Sequence, residues 1–197
     1  MADGYTRRVN DGPVAAGFGQ TLDPMTLARA RRGDMDAFAA IYARFAAPCC
    51  TLAMRVLGER AAAEDVVQDV FVKLFATIRG FRGDAPFGAW LKRLTANATI
   101  DVVRTRQRWR DEDAETLPDA PGGGDAGAQA VDAWSLLATL PARARAIVVL
   151  HEVEGYTHRE LAELFGQSES YSKSILARAL KRLNDAARAE RDETRNE

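Results

Sequence analysis

A chain of 197 residues with 47% hydrophobic content can bury one or two small cores. Its 27 basic and 28 acidic side chains leave a formal charge of −1, so only the distribution of charge can argue for a polyanionic partner. The two histidines, His151 and His158, have no nucleophile–base or metal-ligand spacing beside them, so no enzyme activity, cofactor or metal is expected.

No apolar run reads as long enough to span a bilayer and no secretory segment follows Met1, so a cytoplasmic chain without membrane insertion is expected. Cys49 and Cys50 are adjacent in a helical pattern and point about 100° apart, which disfavours a disulfide between them. Two small core residues are one reading, and a redox or metal pair is the other.

Residues 1–22 are rich in Gly, Ala and polar groups and predict a disordered tail. Asp23 followed by Pro24 opens a short helix that Gly33 ends. Asp34 caps a second helix with Phe38, Ile41, Tyr42 and Phe45 as its apolar face, which Pro48 should kink or divide. A third helix from about Ala61 to Arg79 buries Val66, Val67, Val70, Phe71, Leu74, Phe75 and Ile78. Glu64, Asp65, Gln68 and Asp69 lie on its exposed side near the start. They suit the helix dipole, or they form an acidic docking face for a basic partner.

Residues 81–86 form a turn-rich loop punctuated by Gly83 and Pro86, with Asp84 placed to cap a fourth helix. That helix has an apolar stripe of Phe87, Trp90, Leu91, Leu94, Ala98 and Val102. Its other faces carry Lys92, Arg93, Asn97, Arg104, Arg106, Arg108 and Arg110 against one acid, Asp101. This is a solvated basic helix or a positive edge for nucleic acid, with Asn97, Asp101 and Arg104 sharing a side from which bases can be hydrogen-bonded. Trp109 is unconstrained by the stripe.

Every charged residue in 111–132 is acidic, and three consecutive glycines with Pro118 and Pro121 break any helix there. Residues 112–129 are therefore a flexible acidic linker, which serves solubility or imitates a nucleic-acid backbone. Beyond it, Trp134, Leu137 and Leu140 mark one helix. Pro141 begins another, with Ile147, Val148, Leu150 and Val153 apolar and Gly155 as its stop. Thr157 and Glu160 form a capping box for a third helix of this half, with Leu161, Ala162, Leu164 and Phe165 inward. Gly166 makes a turn and Ser168 caps a last helix to about Ala187, carrying Leu176, Ala179, Leu180 and Leu183. This pattern is a helix-turn-helix or an ordinary helical hairpin. In the first case Thr157, His158, Ser168, Ser170, Tyr171, Lys173, Ser174 and Arg178 lie toward the major groove or its phosphates. The expected fold class is all-α: a helical domain over 23–111, the linker, a helix-turn-helix domain over 130–188 and a disordered tail over 189–197.

In order and separation, AEDVVQDVFVKLF (63–75), FRGDAPFGAWLKRLTANATIDVVRTRQR (81–108), LPARARAIVVL (140–150) and GYTHRELAELFGQSESYSKSILARALKRL (155–183) resemble the bacterial extracytoplasmic-function sigma factors. These belong to the sigma-70 family of RNA polymerase specificity subunits. The resemblance implies that Glu64, Asp65, Gln68 and Asp69 dock on the clamp helices of β′. It implies that Phe81, Arg82, Gly83 and Asp84 of the loop help capture a base flipped from the −10 element. Asn97 and Asp101 correspond to positions that read the non-template strand, with Arg104, Arg106 and Arg108 on phosphates. The helix-turn-helix corresponds to the domain that reads the −35 element while resting on the β flap. There this chain departs from the family: Ser170-Tyr171 replace a glycine–threonine pair, and Ile175 and Leu180 replace basic residues. The acidic linker corresponds to the connector near the RNA exit channel, and an anti-sigma factor is an expected partner. The rival reading, a helix-turn-helix regulator with an N-terminal sensor bundle, gives the acidic helix and the basic stretch no task.

Overall fold

The computed structural model describes residues 17–108 and 133–195, with backbone alone for 107, 108, 133 and 189–195. Every regular element among them is helical, as the sequence predicts. The linker 112–129, Trp109, Arg110 and most of the expected N-terminal tail lie outside the described residues.

The first half is a bundle of four helices. Helix α1 (Pro24–Arg31) starts as expected, with the Asp23 carboxylate accepting from the Thr26 N–H. Helix α2 (Met35–Leu57) is capped by Asp34, which accepts from the Asp36 and Ala37 N–H groups, and it ends at Gly58 in the left-handed region. It runs unbroken through Pro48, contrary to the expected division. Proline removes the donor to the carbonyl four residues earlier, Arg44 O, and the Gln20 side chain donates there instead at 3.2 Å. By length and mean hydropathy (1.4) α2 also meets the requirement for crossing a bilayer, contrary to the sequence reading. Nine of its residues, Phe45 and Leu52 among them, are instead buried in this bundle.

Helix α3 (Arg60–Thr77) packs on α2 and ends in a 3-10 turn, Ile78–Gly80. Phe75, expected inside, is 50% exposed, and so is Tyr42 on α2. Each sits at the border of the interface, where its ring meets one partner: Phe38 at 4.8 Å from Phe75, Phe71 at 4.7 Å from Tyr42. Helix α4 (Phe87–Arg108) shows a rotated core face. Thr95 and Thr99 are fully buried on it, while Trp90, Leu94, Ala98 and Val102 are only partly covered. Each threonine hydroxyl donates to the carbonyl four residues back, which satisfies a polar atom that the hydrophobic pattern treats as surface.

Residues 17–22, expected within the tail, are packed rather than loose. Gly17–Gly19 form a short 3-10 turn and Phe18 joins the bundle core. The second half comprises α5 (Ala133–Ala138), α6 (Ala142–Val148, continued by a π-helical turn, Val149–Val153), α7 (His158–Phe165) and α8 (Glu169–Arg195). The capping box at Thr157 and Glu160 is formed, and it holds the Glu160 carboxyl below its usual range. Val153 is exposed rather than inward. Helix α8 continues to Arg195, through most of the segment expected to be disordered.

One buried side chain bridges the two halves among several contacts between them. Arg145 on α6 is 9% exposed and donates to Val56 O at 2.7 Å and Leu57 O at 2.9 Å, capping the C-terminus of α2. Burial lowers its pKa, and the nearby Arg106 charge adds to that effect.

Candidate nucleic-acid interface

The acids of α3 are all exposed, as a docking face requires, and Glu64 is tied to Arg60 at 2.7 Å. The sequence reading missed that this face continues in apolar surface. Val72 and Phe75 stand 71% and 50% exposed one and two turns beyond Asp69 and Gln68. Acids followed by uncovered apolar groups suit a partner with cations beside an apolar ridge.

The loop 81–86 divides into an anchor and a tip. Phe81 is 7% exposed, with its ring 5.6 Å from Phe87 and 5.1 Å from Trp90. It acts as the loop's foundation, where the sequence expectation put it at the DNA. Arg82, Gly83 and Asp84 form the exposed tip, and Arg82 Nε donates to Asp84 at 2.9 Å. Asp84 is therefore occupied by Arg82, and Pro86 O accepts from the first turn of α4. A cleft of about 620 Å³ opens beside the tip, lined by the loop on one side and by residues 18–22 on the other.

On α4, Asp101 and Arg104 share a side as expected and approach to 3.7 Å, with Asp101 exposed and Asn97 half-buried. Arg106 is turned away and pairs with Glu59 at 2.8 Å. Arg108 contributes only backbone to the description. Nearer the start of the helix, cations pair with acids of the second half. Lys92 Nζ donates to Glu154 O at 2.7 Å, and the Glu154 carboxylate lies 3.6 Å from Arg55 and 3.7 Å from Lys92. Arg93 meets Glu163 at 3.7 Å, and an Arg104 nitrogen comes close to Gly166 in the helix-turn-helix turn.

The helix-turn-helix keeps an open edge. Ser168, Ser170, Lys173, Ser174 and Arg178 are exposed along the start of α8, with Ser168 Oγ accepting from the Tyr171 N–H and Lys173 3.7 Å from Glu169. Three expected contact residues have structural duties instead. Thr157 closes the capping box. The Tyr171 hydroxyl accepts from Arg143 at 2.8 Å. His158, half-buried, hydrogen-bonds Ser172 Oγ at 2.8 Å and stacks on His151 with ring centroids 4.5 Å apart. Ile175, where the family carries a basic residue, is buried.

Comparison with known proteins agrees with this layout. Residues 41–109 match Sigma-70 region 2, and residues 131–183 match Sigma-70, region 4. The chain is 31% identical over 175 residues to the ECF RNA polymerase sigma factor SigM of Mycobacterium tuberculosis, covering 86% of this chain and 88% of SigM. It is 30% identical over 142 residues to SigE of Mycolicibacterium smegmatis, spanning 68% of this chain and 55% of that longer relative. Among solved structures it resembles CnrH in complex with the cytosolic domain of CnrY (TM-score 0.50, 28% identity, 84% of this chain and 96% of that one). The fold is also that of RpoE in complex with the anti-sigma factor NepR from Bartonella quintana (TM-score 0.51, 23% identity, 73% and 91%). Region 2 and region 4 in one chain, in that order, define an RNA polymerase sigma factor. The chain belongs to the extracytoplasmic-function class of the sigma-70 family.

Proposed function

We infer that this sigma factor divides its work among several surfaces. The exposed strip from Glu64, Asp65, Gln68 and Asp69 to Val72 and Phe75 takes the clamp helices of β′. Asn97, Asp101 and Arg104, with the loop tip, engage the −10 strand, and Arg108 meets its phosphates, while Arg106 stays paired with Glu59. Ser168, Ser170, Lys173, Ser174 and Arg178 address the −35 duplex while this domain rests on the β flap. Melting is driven by trapping an unstacked base, whose cost of a few kcal/mol is offset by polymerase binding and the cleft. The chain has no catalysis of its own and works where the polymerase is, in the cytoplasm. An anti-sigma factor covering these surfaces is the expected antagonist.

The observation that carries this reading is the co-existence, in one chain, of an acidic docking helix, a basic strand-facing helix and a helix-turn-helix, matched in order to regions 2 and 4. A repressor with a sensor bundle needs only the last. The contact between halves is then a resting arrangement. Elements about 25 base pairs apart are separated by about 85 Å at 3.4 Å per pair. The chain between α4 and α5 reaches about 80–90 Å when extended, enough once each domain's own width is added. Promoter engagement therefore breaks the Arg145 and Glu154 contacts.

The test pairs two variants. Charge reversal at Asp65 and Asp69 should lower core affinity before any DNA step, whereas Asn97→Ala should impair open-complex formation with core binding intact. Unchanged core affinity after charge reversal would overturn the docking assignment.

A further inference from the structure

The cleft beside the loop has a second wall, made by residues 17–22, which precede the region 2 match beginning at residue 41. This strap is held by features scattered through the sequence. Pro48 leaves Arg44 O without its helical donor. Gln20 Nε2 fills that vacancy at 3.2 Å and donates to Gly17 O at 3.0 Å. The Arg44 guanidinium in turn donates to Thr21 O. In the first turn of α4, a Cβ at Gly88 would stand 1.8 Å from Phe18 O, so the strap lies this close only over glycine.

The anchoring leaves one polar atom to spare. Both amide hydrogens of Gln20 are committed to carbonyls, which fixes the orientation of the group. Its Oε1 accepts from no donor among the described residues. Around it the cleft is apolar, with Phe18, Leu22 and Leu27 facing Phe81, Ala85 and Pro86. Cations lie near it: Arg44 holds the strap, Lys92 lines it while also paired with Glu154, and Arg82 stands at the loop tip paired with Asp84. Arg31 lies 5.7 Å from the Phe81 ring centroid, its buried Nε without an acceptor. Of the acids nearby, Asp84 is paired with Arg82 and Glu154 with Lys92, and the Asp23 carboxylate accepts from Thr26. A largely apolar slot lined in part by Gln20, with cations nearby, fits an unstacked base and its phosphate.

We propose that the strap is the second wall of the slot that receives a base unstacked from the non-template strand. Gln20 Oε1 accepts from the base's exocyclic amine and so favours cytosine or adenine over thymine. The inference rests on base capture by the loop 81–86, and the experiment separates the two.

The full chain is assembled with core polymerase on forked promoter templates carrying each of the four bases at each non-template −10 position, and open complexes are scored. At one position the wild type should favour an amino-bearing base over thymine by about tenfold, the scale of one hydrogen bond. Gln20→Met should reduce that to under about twofold. Gly88→Ala improves the helix propensity of α4 while pushing a methyl into the strap, so it should do the same with the fold intact. In the wild-type complex, 5-iododeoxycytidine at that position should photo-crosslink to both 17–22 and 81–87, whatever the stability of the variants. Crosslinks to 81–87 alone, with both variants keeping the wild-type preference, overturn the strap and leave capture by the loop standing. No crosslink to either wall overturns both.

Discussion

Arg145 reaches across the molecule to Val56, its Nε 2.7 Å from the carbonyl oxygen, and with Leu57 O it closes the end of a helix from the other half. A guanidinium so placed has removed itself from water to satisfy carbonyls that helix α2 cannot satisfy alone.

Arg145→Met keeps the side-chain stem and deletes the donors. Two buried carbonyls then lose their partner, at a cost of about 1–3 kcal/mol in the contact between halves. The expected outcome is a larger radius of gyration by small-angle X-ray scattering and, on the proposed opening at the promoter, a tighter apparent affinity of the polymerase complex for promoter DNA. An unchanged radius would show that Arg145 does not hold the halves together.

Protonation should loosen the helix-turn-helix. His158 is partly desolvated and faces His151 and Lys173, which together hold its pKa below 6.5, against the weaker opposing pull of Glu169 and Glu152. A depressed histidine favours the folded state above its ordinary pKa, and that contribution is lost as pH falls through the folded value. The melting temperature should therefore drop between pH 7.5 and pH 5.5 by more in the wild type than in His158→Gln. Equal drops would show that the stacked imidazoles carry no pH dependence.

The adjacent cysteines should react very differently. Cys49 is fully buried against Thr95, and burial pushes its thiol up to about 11, while Cys50 is partly exposed at the edge of an open groove. At pH 8 iodoacetamide should modify Cys50 well before Cys49, read by peptide mass spectrometry. Comparable rates would contradict the packing and reopen the redox pair.

Most of the architecture was legible in the sequence because it is written locally. Asp23, Asp34, Thr157 with Glu160, and Ser168 each announce a helix start through side-chain geometry two or three residues long. The exposed acids of α3 and the serines of α8 follow from the same periodicity. What stayed hidden depends on distant partners. Pro48 reads as a break until Gln20, 28 residues earlier in the sequence, supplies the missing donor. Phe81 reads as a loop residue until its aromatic neighbours enclose it. Arg145 carries no local signal beyond its place in the apolar run of 140–150. Tyr171 and His158 hold polar heads that either DNA or a neighbouring side chain can satisfy, and only the packing decides between them.

The measurement closest to the central claim is run-off transcription by purified core polymerase on genomic fragments, with and without the full chain. The account predicts transcripts that begin at discrete promoters only when the chain is present and that disappear with Asn97→Ala. Absence of chain-dependent starts, despite stable association with the polymerase, would contradict it.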